Sequence, residues 1–429
     1  MIKQIILVCF LVTLMADDML DMGLGIATGL SAKNAYLYLI ILLILFEKAI
    51  VKERGLLQLP VVHAIFVLLI GDASLSILSV HLLADYGGYD LFGKIVSLKG
   101  VLVDPYFVFL VFFYGVFSGR DAVRVARWLV GFIVVINFVT LLDVYDMPDL
   151  GLIEFRKGRL SGPLGQPNEY GAFLVFFIPL MFSMALSSRH MSGRVFFALG
   201  TIVSFGFLIQ TVSRSSYTAL MTGTLFAIWW LRDGIDVKRV MRWGGALILV
   251  GVAVAALFAQ QVVLQFEERI LWSTIHGDAD QITSGRTWLW ATALDFQMAK
   301  PWTLLFGVGW DSFTDFHDFS AHNAYINYLF SLGAVGLSLF VALIVTMLRY
   351  GKKGFFAARS LEERVMLAGF VAAWFGMAVV MMGGTFNKPW LFIWAYSGLC
   401  MRIVYEAARE RMGEQNAGCI DSVPGMSRP

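Results

Sequence analysis

Apolar residues run along this chain in long, closely spaced blocks separated by short polar connections. The blocks fall at approximately 2–16, 34–51, 57–78, 98–117, 125–142, 167–187, 194–212, 214–231, 244–262, 322–348, 365–384 and 388–405. Crossing a bilayer core takes about 20 apolar residues in an α-helix. The pattern therefore predicts an all-α polytopic membrane protein of about 12 transmembrane helices. The first block is the shortest, and Lys3 ahead of it also suits a signal peptide. No small-x-small cleavage site follows, only Met15-Ala16-Asp17-Asp18, so a retained first helix is expected. Two connections stand out by length, 143–166 before the sixth predicted helix and 263–321 between the ninth and tenth. Long loops in an economical protein carry function. The larger contains an amphipathic stretch from Gly285 to Ala299, with Ser284 as its cap and Lys300-Pro301 as its stop. Residues 1–429 read as one integral membrane domain, with 263–321 as a helical loop within it.

Composition adds that the apolar excess is spread over the whole chain. Hydrophobic residues make up 58% and charged residues 15%, against roughly 25% charged in average soluble domains. Cys9, Cys400 and Cys419 have no metal-site spacing and build no disulfide framework. The six histidines are scattered, which argues against a Cys/His metal cluster. Charge distribution is more informative than the net +2. With the N-terminus cytoplasmic, the inner segments collect about 22 of the 33 Lys and Arg and about 11 of the 31 Asp and Glu. The inner side is then near +11 and the outer side near −9, the bias expected for cytoplasmic termini.

In that topology even-numbered helices begin at the outer face, with their free N–H groups and positive dipole ends outward. Three of these N-termini carry unusual polar residues. Ahead of the sixth helix lies Arg159-Leu-Ser-Gly-Pro-Leu-Gly-Gln-Pro-Asn168, turn-rich, with Asn168 as a natural N-cap. Between the seventh and eighth lies the tight Ser213-Arg214-Ser215-Ser216. An arginine there is paired, snorkelled to the headgroups, or used for phosphate. Opening the tenth is Ala321-His322-Asn323, where His322 is either a general base or only the helix cap. His317 competes as a base, whereas His63, His81, His190 and His276 read as structural. Arg286 adds a positive group at the start of the loop helix. Gly307-Val-Gly309-Trp310 reads as a flexible stretch that lets backbone approach a ligand. Asp311, Asp315 and Asp318 are either a divalent-cation site or, preferably, a solvated acidic rim. Several arginines, helix N-termini and one base suit a large anionic leaving group and a hydroxyl nucleophile. The residues alone thus point to glycosyl or phosphoryl transfer outside the cytoplasm.

These segments resemble the bacterial O-antigen ligase and polymerase superfamily. Arg159 to Asn168 resembles that family's R-x-x-G-x-x-x-x-P-N segment, and Ser213-Arg214-Ser215 its short Ser-Arg-Ser turn. Gly307-Val-Gly309, then His322-Asn323, nine residues, and Gly333-Ala-Val-Gly336 is the most specific match. The resemblance implies an inverting, metal-independent glycosyltransferase without cofactors in the bacterial inner membrane. Its donor would be an undecaprenyl-pyrophosphate-linked glycan at the periplasmic face. By analogy His322 activates the acceptor hydroxyl, and Arg214 and Arg286 bind the pyrophosphate. Arg159 and Asn168 shape the same pocket, with Gln166, Ser213, Asn323 and Trp310 as further substrate-binding residues. The expected acceptor is lipid A–core, as in an O-antigen ligase of lipopolysaccharide biosynthesis. Membrane lipids are the other expected partners, and nucleic acid is not one. The stretch between Arg286 and His322 is shorter than in many ligases, which leaves open a repeat-unit polymerase with a second lipid-linked glycan as acceptor. A transporter fits less well, because its polar residues would sit near the midplane. A protein O-oligosaccharyltransferase usually has an extra soluble C-terminal region.

Overall fold

The computed structural model describes residues 2–20, 23, 25–51, 59–83, 89–144, 155–156, 158–256, 286–317, 319–386 and 390–421. Their helices are α1 (Ile2–Asp18), α2 (Ala32–Val51), α3 (Pro60–Leu83), α4 (Leu91–Leu98), α5 (Asp104–Tyr114), α6 (Gly119–Val144), α7 (Pro167–Ser187), α8 (Met191–Gln210), α9 (Arg214–Trp230) and α10 (Val237–Ala256). From Arg286 onward follow α11 (Arg286–Ala299), α12 (Trp302–Phe306), α13 (Phe313–His317), α14 (Ala324–Ala357), α15 (Leu361–Val380) and α16 (Trp390–Asp421). Two small antiparallel hairpins, β1 (Gly25–Ala27) with β2 (Leu30–Ser31) and β3 (Phe155–Arg156) with β4 (Arg159–Leu160), are the strands among the described residues. The molecule is an all-α polytopic membrane protein.

Each apolar block of the sequence carries a helix within its described residues. Seven helical segments among the described residues are long and apolar enough to cross a membrane. The helices overrun the blocks where charged turns extend them. The fourth is continuous from α4 through a π-helical turn, Lys99–Val103, into α5, and so starts seven residues before the predicted 98. The ninth begins at Val237 rather than 244, because its first turns, Val237-Lys-Arg-Val-Met-Arg, are basic. Hydropathy marks the buried middle of a span but not its polar ends. Residues 257–285, including Ser284 and His276, lie outside the described residues.

Helix α7 is the centre of the bundle. Of its apolar window 83% is buried within the protein, against 39% for α8 on the periphery. Small residues let neighbouring backbones touch, as they must where lipid offers no hydrophobic drive to association. A Cβ at Gly223 of α9 would lie 2.5 Å from the Ala372 carbonyl oxygen of α15, and one at Gly376 of α15 would lie 3.1 Å from that of Ala219 in α9. Polar side chains add ties between helices. Asn137 Nδ2 donates to Ser204 Oγ (2.8 Å) and its Oδ1 accepts from Tyr170 OH (3.1 Å), joining α6, α8 and α7. Beside the π-helical turn, the buried Asp104 carboxylate accepts from Asn34 Nδ2, Tyr38 OH and Lys99 Nζ, each at 2.7 Å. A charge at that depth is tolerable because it is paired.

The connections sort into two ends. At one end Arg127 and Arg189 meet Glu362 (3.1 and 2.8 Å), Arg402 Nη2 donates to the Phe117 carbonyl (2.7 Å), and the Lys352 ammonium lies over Trp230. The opposite end gathers the segments that carry the candidate site.

The helix that opens with the Ala321-His322-Asn323 segment is broken. Gly333 in α14 has φ 65°, which interrupts the i→i−4 ladder. The carbonyls of Leu329, Phe330 and Ser331, in the turn before the break, accept from Gln297 Nε2 (2.9 Å), Val308 N (2.8 Å) and Gly309 N (3.1 Å). A Cβ on Gly307 would stand 2.2 Å from the Ser331 carbonyl oxygen, and one on Gly333 would stand 2.3 Å from Leu305. The Gly307-Val-Gly309 stretch is therefore not a flexible approach to a ligand. Gly307 lets one backbone lie directly on another, and a Cβ on Gly309 would stand 2.7 Å from the Val80 side chain. Around this seam Leu289, Ala293, Val308, Phe313, Ala321 and Phe330 form an apolar centre separate from the main core.

The aspartates that follow are not a solvated rim either. Lys94 Nζ donates to the Asp311 carbonyl oxygen (2.6 Å) and pairs with Asp315 Oδ2 (2.7 Å), and Ser97 Oγ donates to Asp311 Oδ2 (2.7 Å). They clamp α4 to the loop, a pairing across more than 200 positions that sequence periodicity does not reveal. Asp318 lies outside the described residues.

Candidate functional site

The site is assembled from five segments at one end of the bundle. The first is the hairpin and turn ahead of α7. Arg159, half-buried, donates from Nε to the Thr211 carbonyl oxygen and from Nη2 to Asn168 Oδ1, both at 2.7 Å. Asn168 is not the N-cap. Pro167 occupies the first helical position and Gln166 the cap, without a side-chain capping bond. Asn168 instead fixes Arg159, and Arg159 in turn braces the C-terminal carbonyl of α8. Gln166 is exposed at the mouth of this turn.

The tight connection between α8 and α9 is the second segment. Val212 takes φ 46°, which lets two long helices reverse through the three residues Thr211, Val212 and Ser213. Ser213 is the buried N-cap residue of α9. Its hydroxyl accepts from Ser216 Oγ (2.8 Å) and lies 3.3 Å from Ser215 Oγ. Arg214, half-buried, occupies the first turn of α9, where the free N–H groups are.

Arg286 opens α11, and Trp290 one turn later donates from Nε1 to the Ala321 carbonyl oxygen at 2.8 Å. Arg286 Nη1 donates to the Gly383 carbonyl oxygen at 2.7 Å. Burial, followed by the charge of Arg214, lowers its pKa, so the two guanidiniums are close enough to repel.

His322 precedes α14 and does not cap it. Asn323 is the cap, its Oδ1 accepting from the backbone N–H groups of Tyr325 (3.0 Å) and Ile326 (3.2 Å). With that duty taken, His322 stands at φ 47°, a conformation costly outside glycine, with its side chain reaching solvent. Partial burial, then the charge of Arg286, lowers its pKa. The competing base, His317, is packed against Phe313 and Phe330, with ring centroids at 4.7 and 5.3 Å. Arg214, Arg286 and His322 thus form one electrostatically linked row, although 108 positions separate the first from the last.

The fifth segment is the turn after α15, which gave no signal in the sequence beyond a Gly-Gly-Thr in a short connection. Gly383 takes the Arg286 hydrogen bond, and Thr385 Oγ1 lies 3.1 Å from Ser320 Oγ. A Cβ on Gly383 would stand 2.7 Å from Ser215 Cβ. Gly383→Ala is therefore expected to push apart the turns carrying Arg286 and Arg214. Displacements of about 1 Å can cost about 100-fold in rate. The variant should express normally, transfer poorly, and recover when Ser215→Gly removes the opposing Cβ; a steady-state assay on purified protein checks both steps.

Trp310 is placed differently from the rest. Its ring is 5% exposed and packs edge-on against Tyr328 at 6.2 Å, while Tyr89 OH donates to its carbonyl oxygen. It belongs to the core supporting the loop.

Fold and site together define a polytopic helical membrane protein with a cationic cluster and a histidine at one end of its bundle. Residues 199–341 match the family model described as O-antigen ligase. The match bears out the resemblance to the O-antigen ligase superfamily and points to a glycosyltransferase-like enzyme. It spans Arg214, Arg286, Trp310, His322 and Asn323, and leaves Arg159, Gln166, Asn168 and Gly383 outside. No curated protein matches the chain.

Proposed function

We propose that this chain is an inverting glycosyltransferase that moves a glycan from undecaprenyl pyrophosphate to an acceptor hydroxyl at the periplasmic face. Its acceptor is lipid A–core, which makes it an O-antigen ligase of lipopolysaccharide biosynthesis in the bacterial inner membrane. The observation that carries this reading is the row Arg214–Arg286–His322, drawn from three distant segments to one end of the bundle. The asymmetry of basic residues supports placing that end outside the cytoplasm.

The acceptor hydroxyl gives its proton to a ring nitrogen of His322 as its oxygen bonds to the anomeric carbon. The bond from that carbon to the pyrophosphate oxygen breaks on the opposite face, and the electron pair leaves with undecaprenyl pyrophosphate. A base must be neutral to accept a proton, and a pKa below the usual histidine value keeps His322 neutral at pH 7. Arg214 and Arg286 repel until an anion lies between them, so they favour the charge that develops on the leaving group. Arg159, tied to Asn168 and Thr211, holds the α8–α9 turn that presents Arg214.

A deletion strain tests the acceptor. The expected phenotype is lipid A–core without glycan, together with accumulating polymerised donor. Core bearing a single repeat, or lost exopolysaccharide, would assign the chain as a repeat-unit polymerase instead.

A further inference from the structure

At the end of the bundle opposite His322, a groove runs between α6 and α8. Arg124, Arg127, Trp128, Gly131, Phe132 and Val135 of α6 line it, with Phe196 and Phe197 of α8 facing them. Those α6 positions recur at helical spacing, so they share one face, with guanidinium groups at the polar end and apolar groups deeper. The cavity is about 430 Å³, within the roughly 300–1,000 Å³ of ligand pockets.

Two features say what fills it. The mouth carries excess positive charge. Arg127 Nη2 lies 3.1 Å from Glu362, a carboxylate that Arg189 also contacts at 2.8 Å, and the Arg124 side chain is 62% exposed, with Asp121 at 3.5 Å and Gln4 at 3.2 Å. Three arginines thus share two carboxylates, and Arg127 Nε is buried without a hydrogen-bond partner among the described residues. The floor is open. A Cβ on Gly131 would meet only Phe196 Cε1, at 3.9 Å, so glycine leaves room there for something other than the protein's own side chains. Trp128, 53% exposed, stands between the charged mouth and the apolar floor, where a bilayer places its aromatic belt.

We propose that this groove holds an anionic phospholipid, with one acyl chain over Gly131 and the headgroup phosphate at Arg124 and Arg127. A zwitterionic lipid would meet the same floor but bring its own cation to a positive mouth. The site is independent of glycan transfer, lying at the other end of the bundle.

Fluorescence of Trp128, taken as the difference between the full-length protein and its Trp128→Phe variant, reads the site. Vesicles carry phosphatidylglycerol or phosphatidylcholine brominated on the acyl chains. Phosphatidylglycerol is expected to quench at lower mole fraction than phosphatidylcholine. Arg124→Gln should cut that preference by about fivefold, the usual contribution of one basic residue near an anionic surface. Gly131→Leu, whose Cβ would meet only Phe196 at 3.9 Å, should weaken quenching by the brominated anionic lipid. Equal quenching by the two lipids, or a preference untouched by both Arg124→Gln and Gly131→Leu, would overturn the proposal.

Discussion

A His322→Ala protein is expected to remain folded in the membrane and to lose glycan transfer by about 100- to 10,000-fold, the usual range for removing a general base. The fold should survive because Asn323, not His322, caps α14. His322→Asn makes a stricter control, since asparagine tolerates the positive φ that this position requires. It should be as inactive as the alanine variant and at least as stable. In wild type the rate should be flat above neutral pH and fall on acidification. The imidazole is productive only when unprotonated, and its pKa lies below the usual 6.5. The midpoint of that acid limb is therefore expected below 6.5, and the limb should disappear in both variants. Full activity of His322→Ala with purified lipid-linked donor would remove His322 from the chemistry.

The second large effect falls on stability. Gly333→Ala would place a Cβ 2.3 Å from the backbone of Leu305 at a residue whose φ is 65°. Positive-φ strain and overpacking together cost about 2–6 kcal/mol. The loop that rests on the break should come loose and take Arg286 and His322 with it. Lower yield, an earlier melting transition in detergent and lost transfer are expected together. Gly245→Ala on α10 is the matched control, because nothing lies within 4 Å of its added Cβ. A Gly333→Ala protein that melts with wild type would show that the seam does not hold the loop.

The helical blocks were legible because a span must be apolar for about 20 residues whatever it packs against. Their ends were not, because turns such as the basic start of α10 obey no hydropathy rule. Within the site, arginines and a histidine beside helix N-termini were visible as expensive residues in unusual places. What they touch was not visible. Asn168 has the chemistry of a cap and serves as an acceptor for Arg159. Gly307 and Gly309 have the chemistry of a ligand loop and serve a backbone seam. Gly383 acts only through its carbonyl and its lack of a Cβ, and neither distinguishes it from any other glycine in a turn. Lys94 and Asp311 find each other only in three dimensions.

The small apolar centre around Phe330 has a consequence for how such a protein can change. Arg214 and Arg159 are mounted on the main bundle, whereas Arg286 and His322 are mounted on a unit with its own packing. Substitutions that reshape the outer surface of that unit leave the bundle's core undisturbed. A lineage can therefore vary the surface beside Arg286 and His322 while the bundle that carries Arg159 and Arg214 keeps its packing.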